Sequence, residues 1–219
     1  MDAASVHSRM STLEVLRESG VVAVMRGAEP ETVVDTAEAL VEGGVTALEV
    51  TADTPGSTEM IRTLSEELDD EVLVGAGTVL DAATAQSAIA AGAEFVVSPS
   101  YHEDVVETCN RYGVLVAPGV MTPTEAVEAF EAGADVVKVF PAKTLGPDHL
   151  AAMKGPLAQI PMIPTGGVST DNAGDYIEAG AVAVGAGSAL VDRAAVESGD
   201  FDAITERART FRSVIDEAR

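Results

Sequence analysis

Short runs rich in β-branched and apolar residues recur along this chain: VVAVMR (21–26), VTALEV (45–50), EVLVGAG (71–77), EFVVSP (94–99), VLVAPG (114–119), DVVKVFP (135–141), IPMIPTGG (160–167) and AVAVGAG (181–187). Between them lie longer stretches whose apolar positions fall three or four residues apart, the spacing of one helix face. The runs predict eight buried strands and the stretches predict helices. Six of the runs start one or two residues beyond a glycine suited to ending a helix: Gly20, Gly44, Gly92, Gly113, Gly133 and Gly180. Helix starts are written as clearly. In MTPTEAVEAF, Thr122 is placed to cap, Pro123 fits the first helical position and Glu125 completes a capping box. Ile204, Ala208, Phe211 and Ile215 fall on one face of a closing helix, and Met10, Leu13 and Leu16 on an opening one.

Strand and helix alternate across all 219 residues with no linker or shift in composition. The pattern predicts an α/β chain that is one domain over residues 1–219, a (β/α)8 TIM barrel preceded by an N-terminal helix. A doubly wound open sheet is the alternative topology.

Charge narrows the choice of partners. The chain carries 36 acids against 13 bases, a formal charge of −23, which repels nucleic acid and anionic lipid. An anionic ligand must therefore be captured by a local set of donors. The acids are dispersed over helical stretches, and arginine outnumbers lysine ten to three, an acidic coat resembling that of cytoplasmic proteins of halophiles. Cys109 is the only cysteine, so no intramolecular disulfide is expected, and it reads as a small helical residue unless a base activates it. His7, His102 and His149 are scattered, which gives no support for a histidine metal site; no catalytic metal or cofactor is expected. The first ten residues lack a basic region followed by an apolar stretch, and no apolar run nears the ~20 residues that cross a bilayer, so a soluble cytoplasmic protein is expected.

Lys138 is the residue least explained by structure. It interrupts a strand run between Val137 and Val139. An ammonium there must be paired or lose its proton, and a neutral lysine amine is a nucleophile suited to Schiff-base chemistry. An outward side chain or a structural ion pair is the other reading. Strand ends of a barrel carry its chemistry, and Arg26, Glu49, Thr51, Thr78 and Lys138 all fall at or near them. Glu49, within TALEVT, is either neutral with a raised pKa or held by a nearby cation, and both states suit a proton shuttle; an ion pair with Arg26 or Lys138 that merely fills the barrel is the other reading. The turns PTGGV and GAGSAL follow the last two strand runs. Gly166, Gly167, Gly187 and Ser188 are candidates for a phosphate site, with packing glycines as the other explanation.

Taken together, EVT with Glu49, GAGTV with Thr78, VSP, PGVMTPTE, KVFPA with Lys138, PTGGV and GAGSAL resemble the 2-keto-3-deoxy-6-phosphogluconate (KDPG) aldolase family, which includes 4-hydroxy-2-oxoglutarate (KHG) and 6-phosphogalactonate aldolases. The resemblance spans about residues 21–191, with the motifs in family order. It implies a class I lyase, usually a homotrimer, that works through a covalent lysine and takes pyruvate and a small phosphorylated 2-keto-3-deoxy sugar acid. By the same likeness Lys138 matches the Schiff-base lysine, Glu49 the general acid/base and Thr78 a contact near the pyruvate moiety, while the two glycine turns match the phosphate site. Some members carry an arginine four residues after the glutamate, where this chain has Asp53; another branch carries it at the end of the first strand, as Arg26 stands here. The substrate carboxylate is therefore assigned to Arg26, a planar two-pronged donor. Thr165 resembles the gluconate-type members.

The implied reaction is cleavage of KDPG to pyruvate and glyceraldehyde 3-phosphate, a step of sugar-acid catabolism. The galactonate epimer or unphosphorylated 4-hydroxy-2-oxoglutarate are alternative substrates. A non-catalytic sugar-phosphate-binding barrel and a phosphate-binding isomerase or epimerase are the readings from other classes.

Overall fold

The computed structural model describes residues 3–219, with side chains from Arg9 onward; Met1, Asp2 and the His7 side chain lie outside the described residues. Helix α1 (Ala3–Ser19) precedes β1 (Val21–Met25), α2 (Val33–Glu42), β2 (Ala47–Thr51), α3 (Ser57–Glu67), β3 (Leu73–Gly77), α4 (Ala82–Ala90), β4 (Phe95–Val97) and α5 (Glu103–Tyr112). There follow β5 (Leu115–Ala117), β6 (Gly119–Val120), α6 (Pro123–Glu131), β7 (Val137–Val139), α7 (Ala142–Lys154), β8 (Met162–Pro164), α8 (Ala173–Glu178), β9 (Val184–Ala186), α9 (Arg193–Ser198) and α10 (Phe201–Glu217). Each expected run forms a strand, and every pairing between strands is parallel.

One run differs from expectation. VLVAPG is divided into β5 and β6 at Pro118, which has no N–H to give to a ladder. The first piece pairs with β4 and the second with β7, so the chain passes from one sheet to the next at the proline. The order β5-β4-β3-β2-β1-β9 joins β6-β7-β8 there, and a parallel bridge from Thr165 to Gly185 closes the other seam. The ring is the expected eight-membered barrel, and the open-sheet topology is excluded by that closure.

Its lower interior is filled by one residue from each run: Val22, Ala47, Leu73, Phe95, Leu115, Val136, Ile163 and Ala183. Leu16 of α1 joins this cluster at 1% exposure and plugs the floor. Met10 does not share that face; it is 61% exposed, and the inward position belongs to Arg9. Arg9 Nη1 donates to Asn110 Oδ1 at 2.7 Å and its Nε to Asp135 Oδ2 at 3.1 Å, fastening α1 under the barrel. At the other terminus Ile204, Ala208, Phe211 and Ile215 are fully buried, as their spacing requires. Burial of each of the larger three stabilises by roughly 1.5–3 kcal/mol. The six helix-ending glycines all take positive φ, between 67° and 109°. The capping box forms as written, Thr122 Oγ1 accepting from Glu125 N and Glu125 Oε2 accepting from Thr122 N.

Candidate active site

Above the apolar floor the inward positions turn polar. Glu49, Lys138 and Thr165 line one cavity with Phe95, Val97, Ala117 and Ile163, and all three polar residues are buried. Glu49 on β2 and Lys138 on β7 face each other from opposite walls, since half the ring separates their strands.

Room for these side chains comes from glycine on the neighbouring strand. A Cβ on Gly77 would lie 1.8 Å from Glu49 Oε1, and one on Gly185 would lie 2.2 Å from Thr165 Oγ1. Gly75 makes the same allowance for the Phe95 ring, at 2.5 Å. The GAG of GAGTV and the first glycine of GAGSAL thus exist to let a larger partner lie across them.

The structural ion pairs weighed for Glu49 and Lys138 do not form: among the described residues neither takes part in a salt bridge. Nor does Lys138 point outward; its Nζ lies 5.2 Å from the centroid of the Phe140 ring. Glu49 Oε1 is buried without a hydrogen-bond partner. Burial pushes the Glu49 pKa above the ordinary carboxylate value, against the pull of the Lys138 and Arg26 charges, with Asp53 adding to the rise. A carboxyl raised in this way keeps its proton to higher pH than an exposed one, and so has a proton to donate.

At the mouth three loops are tied together. Arg26, just past β1, gives Nη2 to Thr78 Oγ1 at 2.9 Å and Nη1 to the Asp53 carboxylate. Gly27 N donates to Thr54 Oγ1 at 3.0 Å, and Thr54 is within 3.0 Å of Thr51 Oγ1. Thr78 is the one non-glycine residue with positive φ among those described, at 56°. A β-branched side chain pays of order 1–3 kcal/mol there, a strain typical of ligand-binding positions. In the sequence Asp53 stands only where some family members have an arginine; in the fold it holds Arg26. The signal was present as an acid just past β2 beside an arginine just past β1, but their meeting depends on how the two loops fold back.

The two glycine turns differ. Gly166 and Gly167 both have positive φ, 92° and 83°, and a Cβ would strike the Phe140 ring at 2.9 Å or Lys143 Cβ at 2.5 Å. Packing therefore accounts for both, and Gly166 O also accepts from Lys143 N at 2.8 Å. Gly187 has no such reason: a Cβ would meet only Val24, at 3.9 Å. It opens a turn in which its carbonyl accepts from Leu190 N and Val191 N, both at 2.8 Å, and Ser188 beside it is exposed.

The remaining candidates fall elsewhere. Cys109 is fully buried in α5, and burial pushes its thiol up to about 12, so it is no nucleophile. His102 shares a hydrogen bond with Ser100 Oγ at 2.9 Å, and His149 Nε2 donates to Met121 O at 2.9 Å. Among the described residues no three His, Cys, Asp or Glu side chains are grouped to hold a metal ion, and no helix is long and apolar enough to cross a membrane. A wider cleft beside the mouth is lined by Met25, Ala28, Val33 and Val196 with Arg26 at its edge, but the ionisable pair lies in the narrower barrel cavity.

Residues 12–207 match the family model described as KDPG and KHG aldolase. The chain is 38% identical over 197 residues to a 2-dehydro-3-deoxy-phosphogluconate aldolase of Treponema pallidum (strain Nichols), covering 90% of this chain and 93% of that one. It is 33% identical over 187 residues to a 2-dehydro-3-deoxy-6-phosphogalactonate aldolase of Escherichia coli (strain K12), covering 82% and 91%. Among solved structures, KDPG aldolase from Legionella pneumophila with pyruvate captured as a covalent carbinolamine superposes with a TM-score of 0.85 at 31% identity, covering 91% of this chain and 97% of that one.

Proposed function

Because this chain belongs to the family of KDPG and KHG aldolases, and so is a carbon–carbon lyase, we propose that it cleaves KDPG to pyruvate and glyceraldehyde 3-phosphate through a Schiff base on Lys138. The observation that carries this reading is the pairing of Lys138 and Glu49 as the two ionisable groups of one buried cavity, with no ion pair to satisfy either. Lys138 Nζ, as the free amine, attacks the C2 ketone and forms a carbinolamine. Glu49, whose burial favours the protonated form, gives its proton to the departing water and leaves an iminium. The resulting carboxylate then takes the C4 hydroxyl proton, directly or through water. The C3–C4 bond breaks into an aldehyde and an enamine, the iminium having accepted the electron pair. Protonation at C3 and hydrolysis release pyruvate and restore the amine.

The anchors follow the geometry. Arg26 supports the carboxylate, with Thr78 beside it near the pyruvate moiety. Thr165, which lines the same cavity, contacts the middle of the substrate. Gly187 and Ser188, with the N–H groups of Gly166 and Gly167, receive the phosphate. Fixing both ends of the substrate holds the scissile bond over Lys138. The protein works as a homotrimer in the cytoplasm of a salt-accumulating cell; its acidic coat supports that habitat.

Incubation with pyruvate and borohydride tests the assignment. The reduced pyruvyl adduct should appear on the peptide containing Lys138; an adduct on Lys143 or Lys154 would sink it. A second reading, cleavage of the galactonate epimer, is favoured by the Escherichia coli relative. Relative turnover of the two epimers and of 4-hydroxy-2-oxoglutarate separates these substrates.

A further inference from the structure

The chain has only three lysines, and two are accounted for. Lys138 lines the cavity, and Lys154 Nζ donates to the carbonyls of Ala158 and Ile160, both at 3.0 Å, which ties the end of α7 to the segment after it. Lys143 is different. It is exposed near the start of α7, and among the described residues its side chain makes no salt bridge or hydrogen bond.

Its stem, however, is placed. An ideal Cβ on Gly167 would lie 2.5 Å from Lys143 Cβ, 3.1 Å from Cγ and 3.0 Å from Cδ, so three carbons of the side chain run flat along Gly167. The backbones are locked together as well, since Lys143 N donates to Gly166 O and Ala142 N to Thr165 O, each at 2.8 Å. The ammonium is thereby tethered within one methylene of the glycine turn. In a chain of net charge −23 most exposed cations find an acid, and this one instead stands unpaired beside the turn that follows β8.

We propose that Lys143 is the cation of the phosphate subsite, binding the substrate's terminal phosphoryl group and setting the preference for phosphorylated over unphosphorylated 2-oxo acids. This rests on the reading of the glycine turns as the phosphate end. Backbone N–H groups supply direction there, and a mobile ammonium supplies full charge that dipoles alone do not. It acts as a point charge rather than a fork, so it tolerates the phosphoryl group in more than one rotation.

Lys143→Met separates charge from packing, because it keeps an unbranched apolar stem over Gly167. For the phosphorylated substrate its KM should rise about three- to tenfold, the range of one partly solvated charge-assisted contact. The ratio of kcat/KM between KDPG and 4-hydroxy-2-oxoglutarate should fall by the same factor, and Lys143→Arg should recover most of it. Inorganic phosphate should compete with KDPG in the unsubstituted enzyme and less well in Lys143→Met. If Lys143→Met leaves that ratio unchanged while Ser188→Ala lowers it, the phosphate end is right and Lys143 merely covers Gly167, which overturns the proposal. If neither variant moves the ratio and inorganic phosphate does not compete, the phosphate reading itself is overturned, and this proposal with it.

Discussion

Thr78, in a left-handed backbone at φ 56°, accepts a 2.9 Å hydrogen bond through Oγ1 from Nη2 of Arg26. The strained residue and the charged one fix each other, and Asp53 engages the remaining prong. In the role proposed for Arg26, the guanidinium is held in place before the carboxylate arrives, which lowers the ordering cost of binding.

Two substitutions test that arrangement in opposite directions. Arg26→Lys should raise KM and weaken pyruvate as an inhibitor by about tenfold, because one ammonium does not replace a two-pronged donor. Asp53→Asn should tighten pyruvate, by at most about fivefold, since an exposed pair of this kind contributes no more than ~1 kcal/mol and a competing carboxylate has been removed. Inhibition constants measured at fixed ionic strength decide both; unchanged values for Arg26→Lys would return the carboxylate to another donor.

Glu49→Gln should cut cleavage by about 10² to 10⁴ while pyruvate still becomes trapped, slowly, by borohydride. Full turnover in that variant would make Glu49 structural. The same change should stabilise the fold at pH 8. Burial raises the folded-state pKa of Glu49 above its unfolded value, so the native state binds the proton more tightly. Stability linked to Glu49 is then present below the unfolded value and lost as pH rises through the folded one. Thermal midpoints of the two proteins should diverge in favour of Glu49→Gln at pH 8, with the gap shrinking as the pH is lowered towards 4. A gap that is constant with pH would deny the raised pKa.

Gly77→Ala places a methyl group where Glu49 Oε1 lies. The carboxylate must move, so cleavage should fall about as far as in Glu49→Gln, with a further cost of about 1–3 kcal/mol from overpacking. Activity near that of the unsubstituted enzyme would show that Glu49 reaches its work from another rotamer.

At the far end Ser188→Ala and Gly166→Ala should part company. Ser188 is exposed beside an unobstructed Gly187, so its loss should lower kcat/KM for KDPG more than for 4-hydroxy-2-oxoglutarate. Gly166→Ala meets the Phe140 ring from a positive φ and should damage both substrates together, along with thermal stability. Equal losses in the serine variant would place the phosphate elsewhere.

What could be read in the sequence was what is local or periodic. The capping box at Thr122 and Glu125, the six glycine helix ends and the inward face of α10 are set by neighbours a few positions away, and all form. The strand runs were legible because strands covered on both faces are continuously apolar. Pro118 is visible too, inside the single run 114–119; only the ring shows it as the point where that run changes partners. Arg9 takes the inward position expected of Met10 because its charge has partners at Asn110 and Asp135, far along the chain. Asp53 and the clearance glycines Gly77 and Gly185 were opaque for the same reason. Their purpose is a side chain on a different strand, and nothing in the flanking residues names it.

That clearance ties pairs of positions together over evolutionary time. Where Glu49 lies across Gly77 and Thr165 across Gly185, neither member of a pair can drift alone, because enlarging the glycine collides with the side chain and shrinking the side chain opens a void. The two pairs are unequal in what a compensated exchange would do. At Glu49 and Gly77 it would remove the carboxyl from the cavity, whereas at Thr165 and Gly185 it would carry a hydroxyl one strand round the wall at nearly constant volume. The latter pair is thus the barrel's open route to a differently shaped cavity, reached by two coordinated substitutions that leave Lys138 and Glu49 where they stand.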